Sequence, residues 1–207
     1  MTRFGVVLAG GVGFLIACGP TPAPSPDAGR PGGGGDPSAA VSCQPSDQMA
    51  VEGRASPYDS TMVDLGGAEA KICYGRPSAR DRVVFGQLVP YDRIWRTGAN
   101  EPTIIHLPVG ARIGTLSVGA GSYSIYTVPG RQEWTVIVNR STEQWGHESQ
   151  YTAQVQAQEV GRFRVPAEAT EQHVETFTIR ADPPEATERL VVEWEGTRIR
   201  IPITRGG

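Results

Sequence analysis

Within seven residues, Trp95 to Glu101 of the stretch IWRTGANEPT, the chain sets an indole, a guanidinium, a carboxamide and a carboxylate around a Gly98-Ala99 pair. Neither helical nor strand periodicity produces such a run, so it is read as a loop with a task. If the task is binding, Arg76, Trp95, Arg96, Asn100 and Glu101 line a pocket for a sugar or small anion, with Trp134, Trp145 and Glu175 as neighbours. Indole faces stack on sugar rings, and guanidinium forks and carboxylates grip hydroxyls or acids in pairs of hydrogen bonds. If the task is structural, Trp95 fills the core, Arg96 and Glu101 neutralise each other, and Asn100 takes a left-handed turn after Gly98-Ala99. Of the two, the residue types favour the scaffold. Glu101 with Glu175 is the one carboxylate pair that could be nominated for acid-base hydrolysis.

The rest of the chain narrows the chemistry by what it lacks. No G-x-S-x-G elbow, C-x-x-C, H-E-x-x-H or Walker loop is present. His106, His147 and His173 are dispersed without ligand spacing, so no metal site is expected and no cofactor is implied. Gly119 and Gly121 in VGAGSYS are read as a turn, because no helix follows to complete a phosphate cradle. The net charge of −3 becomes −4 on loss of Arg3, which disfavours a nucleic-acid partner. The 18 arginines against a single lysine, Lys71, are attributed to genome composition rather than to a basic surface.

These residues must be held by strands. Ser60 to Leu65 and Glu69 to Tyr74 flank a Gly66-Gly67 hairpin turn. Further strands are expected at Thr103 to Leu107, Ile113 to Val118, Ser122 to Val128, Trp134 to Asn139, Glu159 to Val165, Val174 to Ala181, Arg189 to Trp194 and Arg198 to Ile203, the last two joined by a Glu195-Gly196 turn. A helical turn is expected only within Ser141 to Gln154. About nine or ten short strands at this spacing predict an all-β fold, an antiparallel β-sandwich or jelly roll.

The N-terminal portion reads as an address. Residues 1–17, MTRFGVVLAGGVGFLIA, carry one charge at Arg3 and then an uncharged run from Phe4. As a helix that run would span about 21 Å, short of the roughly 30 Å hydrocarbon core, so it is expected to be an export signal rather than a membrane span. LIAC, Leu15 to Cys18, resembles the bacterial lipobox, which implies cleavage before Cys18, lipidation of its sulfur and a place in the cell envelope, at the outer membrane since Gly19 follows. Acyl chains contribute about 0.8 kcal/mol per buried CH₂, so two or three make a lasting anchor. Residues 18–50 form a tether and N-terminal extension. Gly19 to Ala40 hold six prolines and six glycines and nothing large and apolar, too little to offset ordering entropy. Residues 51–207 then form one domain. With Cys18 lipidated, Cys43 and Cys73 remain as an even pair in an oxidising compartment, and a disulfide between them is expected.

The run YGRPSARDRVVFGQLVPYDRIWRTGANEPT, Tyr74 to Thr103, followed by GAGSYSIYTVPG, WTVIVN, VETFTI and VEWEGTRIRIPI, resembles the bacterial family known as domain of unknown function 2911. The resemblance runs from Ser56 to Ile203, and WRTGANE is its most specific element. It departs at Arg80-Asp81, where members read Lys-Gly, and at Asp92, where glycine is usual, so these turns are expected to be shaped differently. The resemblance implies an exported, mostly β domain and no particular activity. Taken together, the readings predict a membrane-tethered envelope module that binds a small ligand, a glycan or another envelope component. The alternatives are a structural envelope protein without ligand and a carbohydrate-active hydrolase.

Overall fold

A computed structural model of the chain describes residues 42–182 and 189–207. The expectations for the signal, Cys18 and the Gly19 to Ala40 tether lie outside the described residues.

Nine strands form one antiparallel sheet in the order β1-β2-β3-β6-β7-β8-β9-β4-β5. They are β1 (Tyr58–Asp64), β2 (Glu69–Gly75), β3 (Thr103–Leu107), β4 (Ala111–Ile113), β5 (Leu116–Val118), β6 (Gly121–Val128), β7 (Glu133–Asn139), β8 (Glu159–Ala181) and β9 (Arg189–Arg205). The sheet becomes a sandwich because its two longest strands serve both layers. Glu159 to Pro166 of β8 pairs with β7, while Ala167 to Ala181 pairs with β9. Register shifts between Ala169 and Val174 and between Val174 and Thr178 bend β8 from one layer into the other. The far end of β9, Ile203 to Arg205, carries β4. The chain after β2 then meets the bent half of β8, with Phe177 N–H donating to Pro77 O and Ala79 N–H to Glu175 O, both at 2.8 Å.

Between the layers lies an aromatic core of Phe85, Trp95, Trp134, Phe177 and Trp194, in which Trp95 stacks on Trp194 at 6.0 Å and 19° and the remaining ring contacts are edge-on. Each such ring contributes on the order of 2–3 kcal/mol through burial alone. The strand β7, EWTVIVN, is apolar on both faces because both are covered. Trp134, Val136 and Val138 face the core, while Ile137 and Asn139 lie equally buried on the other face. The cover there is the segment from Ser141 to Gln158, which holds a 3-10 turn (Glu148–Gln150) and α1 (Ala153–Gln156). It is fastened by Asn139 Nδ2 donating to Val155 O at 2.7 Å, Gln144 Nε2 to the Tyr126 hydroxyl at 2.9 Å, and Tyr126 packed edge-on against Tyr151. The helical turn expected in this region is therefore present.

The Gly66-Gly67 hairpin forms as expected, with φ of 71° and 85° and a Leu65 to Ala68 hydrogen bond. Two expectations are corrected. Ile113 to Val118 is not one strand but parts of β4 and β5, because Gly114 at φ 57° reverses the chain. Glu195-Gly196 is not a turn between strands but an irregularity inside β9. Glu195 sits at φ 54°, still opposite Val174, and accepts a hydrogen bond from Val84 N–H at 3.3 Å. A long partner strand in β8 holds β9 extended across a dipeptide that would otherwise fold back. At Arg80, Asp81 and Asp92, φ is 53°, 56° and 60°, the left-handed region that glycine enters freely. These turns keep glycine-like geometry with side chains that resist it.

Candidate functional site

The segment from Ile94 to Pro102 leads into β3 and runs along the end of β6. Trp95 exchanges two backbone hydrogen bonds with Thr127, at 2.7 and 2.9 Å, as a one-residue extension of the sheet. Beyond it the backbone turns left-handed at Thr97, φ 56°, and at Asn100, φ 65°. A β-branched residue in that region is a strained one. The strain is held by surrounding bonds: Thr97 Oγ1 to Thr127 Oγ1 at 3.1 Å, Thr103 Oγ1 to Thr97 O at 2.6 Å, Thr103 N to Arg96 O at 3.0 Å and Ala99 N to Gly75 O at 3.2 Å. Two glycines let neighbouring backbone come that close. A Cβ on Gly75 would collide with Ala99 O, and one on Gly146 with Arg96 Cδ and Asn100 O.

This loop forms the floor and one side of a cleft of about 400 Å³. Trp95, Arg96, Gly98, Ala99 and Asn100 come from the loop itself, and Arg82, Leu88, Val89, Pro90 and Arg93 from the long connection before it. Gly146, His147 and Glu148 come from the segment that covers β7. Three guanidiniums face one carboxylate. Arg93 spends its positive charge on Glu148 through two bonds of 2.9 and 3.0 Å, and Glu148 correspondingly holds the Arg93 pKa above its usual value. Arg82 donates to Ala79 O at 2.8 Å and Ser78 O at 2.9 Å. Arg96 donates from Nη1 to Gly146 O at 3.4 Å, while its Nε is buried without an acceptor among the described residues. Burial holds the Arg96 pKa below its usual value, against the opposing pull of Tyr126 and Glu101.

Of the residues singled out from sequence, Trp95, Arg96 and Asn100 line the cleft, and Arg76 and Glu101 do not. Trp95 serves as floor rather than as a stacking platform, since its ring lies against Trp194 and its Nε1 donates to Gly98 O at 3.1 Å. Arg76 bonds Asp59 at 3.2 Å and also Phe177 O and Thr178, clasping the two layers. The expected Arg96–Glu101 pair does not form. Glu101 points the other way and is closed in by Arg54 Nη1 at 2.9 Å and by Ser46 N–H at 2.8 Å. The two side chains of this ion pair are 1% and 4% exposed. Glu175 is exposed and accepts from Arg80 N–H and His173, so the nominated Glu101 and Glu175 carboxylates do not meet in the cleft. Trp134 is core and Trp145 half-buried. No group of three or more His, Cys, Asp or Glu among the described residues converges to hold a metal ion.

Sequence reasoning missed Arg54, Arg82, Arg93, Gly146 and Glu148. Arg93 directly precedes the loop, whereas Arg82, Gly146 and Glu148 reach the cleft and Arg54 reaches Glu101 from other stretches of chain, and a glycine between Trp145 and His147 carries no hint of its neighbour. Arg54 belongs to a strap, Ser42 to Arg54, that the Cys43–Cys73 disulfide joins to β2 with Cα atoms 5.7 Å apart. Arg54 also orders the strap itself, donating to Ala50 O at 2.8 Å and Met49 O at 2.6 Å.

No curated protein and no solved structure matches the chain. Residues 56–203, which take in the strained loop and every residue lining the cleft, match a family model, and the chain belongs to that family, described as protein of unknown function (DUF2911).

Proposed function

We propose that the protein is a lipid-anchored module of the bacterial cell envelope that binds a small polar ligand in the Arg96–Asn100 cleft. The observation that carries the binding half is the strained loop. Thr97 at φ 56°, fully buried and fastened by the hydroxyls of Thr127 and Thr103, costs the fold stability between Arg96 and Gly98, which line a polar cleft. Strain of this kind persists where function requires the geometry. A volume of about 400 Å³ suits a monosaccharide-sized molecule. Support for the anchor half is the uncharged run to Ala17 followed by Leu15 to Cys18 and the Pro- and Gly-rich stretch behind it.

Titration of the full chain with neutral sugars, sugar acids, sugar phosphates, amino acids and polyamines tests the cleft. A ligand moves the amide resonances of Gly98, Asn100 and Gly146 ahead of those in β4 and β5. Unmoved resonances across the whole panel remove the binding reading. For the anchor, Cys18→Ala abolishes metabolic labelling with a fatty acid and leaves the precursor uncut. Labelling that survives the substitution removes the anchor.

A further inference from the structure

The three guanidiniums that line the cleft differ in what their hydrogen-bonding edges already hold. Arg93 presents its Nε–Nη2 edge to both oxygens of Glu148, the fork-to-fork arrangement that makes arginine selective for oxyanions. Arg82 uses the same edge on two backbone carbonyls, Ala79 O and Ser78 O. Arg96 has its edge toward no acceptor among the described residues. Nη1 alone is engaged, at 3.4 Å to Gly146 O, and Nε is both buried and unpaired. A buried donor on a charged group that lacks an acceptor costs more than an ordinary missing hydrogen bond.

The neighbours decide which ligand the accessible part of this guanidinium would take. Gly146 packs so closely on the Arg96 stem that even a Cβ there would collide with Arg96 Cδ, which leaves the side chain little freedom to seek an acceptor elsewhere. The carboxylate that follows it in the same loop, Glu101, is occupied by Arg54. The one carboxylate in the cleft, Glu148, is occupied by Arg93. A neutral sugar would find no aromatic face, because Trp95 and Trp194 lie stacked on each other in the core. A cation would meet three guanidiniums and one neutralised carboxylate.

We propose that the ligand of this cleft carries an oxyanion, a carboxylate or a phosphate, gripped by the Arg96 guanidinium through Nη2, which has no acceptor among the described residues and, unlike Nε, is not buried. The proposal rests on the reading of the cleft as a binding site and adds its chemical class. Asn100 and His147, on the same cleft, are placed to contact the remainder of the molecule.

Calorimetric titration of the full chain with glucuronate, glucose 6-phosphate and glucose tests the class. One or both anions bind, and glucose binds at least tenfold more weakly. Glucuronate ahead of glucose 6-phosphate assigns the carboxylate, and the reverse order assigns the phosphate. Arg96→Met weakens the anion at least tenfold and raises the melting temperature by about 2–4 °C, because it removes an unpaired buried donor at similar volume. Arg96→Lys keeps the charge without the guanidinium and loses comparable affinity. Glucose binding as tightly as the anions overturns the oxyanion while leaving the cleft a binding site. Anion affinity unchanged in Arg96→Met, or a lowered melting temperature in that variant, also overturns it. Absence of binding by all three compounds overturns it as well, and the amide titration described above decides separately whether the cleft reading falls with it.

Discussion

Arg96 and Glu101 sit five residues apart in one loop, and the fold treats them in opposite ways. Glu101 is closed into the protein with a guanidinium at 2.9 Å and a backbone N–H at 2.8 Å. The Arg96 side chain keeps a single long hydrogen bond and a buried nitrogen without a partner among the described residues. Had the two charges met, each would have satisfied the other and the loop would be scaffold throughout. Their divergence makes one side of the loop scaffold and leaves the other side with unspent hydrogen-bonding capacity. The lesson is that adjacent opposite charges in a sequence do not imply a pair. The left-handed residues between them, Thr97 and Asn100, send the two side chains to different faces.

The largest effects are expected on the satisfied side. Glu101→Ala strands the Arg54 guanidinium in the interior, and unfolding in denaturant should show a loss of about 3–5 kcal/mol. A double-mutant cycle of Arg54→Met with Glu101→Ala should give a coupling above about 2 kcal/mol, and one of Arg96→Met with Glu101→Ala a coupling below about 0.5 kcal/mol. Equal couplings would show that the two sides of the loop are not distinct.

Next in size is the bond that holds the strap in place. Cys43→Ser opens the crosslink between residues 30 apart in sequence and should lower stability by about 3–4 kcal/mol in the chain-entropy model. The contrast predicts more than a uniform loss. Amide exchange at Ser46, whose N–H is bonded to Glu101, should accelerate well before that of Gly146 on the cleft side. Simultaneous acceleration of both would show that the two sides of the loop are not independent.

The general architecture was legible in the sequence, because strand alternation and paired glycines are local signals. Gly66-Gly67 announced its hairpin, and the polar stretch after Asn139 announced its helical turn. What was not legible depends on distant partners. Glu195-Gly196 reads as a turn in isolation and becomes an irregularity in β9 only because β8 runs on beside it. The division of Ile113 to Val118 hinged on one glycine entering the left-handed region. Trp95, Arg96 and Asn100 were identified by their types, yet the partner of Glu101 lies 47 residues upstream. Sequence spacing carries no information about such a contact. The Arg96–Glu101 pair was the natural reading of the charges and was wrong for that reason.

The smallest expected effect is a gain. Asp92 at φ 60° and Asp81 at φ 56° occupy backbone that favours glycine. Asp92→Gly and Asp81→Gly should each raise stability by about 0.5 kcal/mol, the relief of left-handed strain outweighing the added freedom of the unfolded chain. Thermal melts of the two variants check this, and a loss at either site would mean that the aspartate side chain is itself holding its turn. Neither change should affect the Arg96 edge, so both variants also serve as controls for the binding titrations.

The disulfide has a mechanical consequence. β1 is the outermost strand of its layer and is held to β2 by a ladder of backbone hydrogen bonds from Tyr58 to Asp64. Tension applied from the N-terminal side of an uncrosslinked chain would load that ladder from its first bond, and the strand could peel away one rung at a time. The Cys43–Cys73 bond intercepts the load before it reaches Tyr58 and delivers it to β2, which is flanked by strands on both sides. Rupture then requires several strands to yield together, so under a load from that side the domain resists as a block.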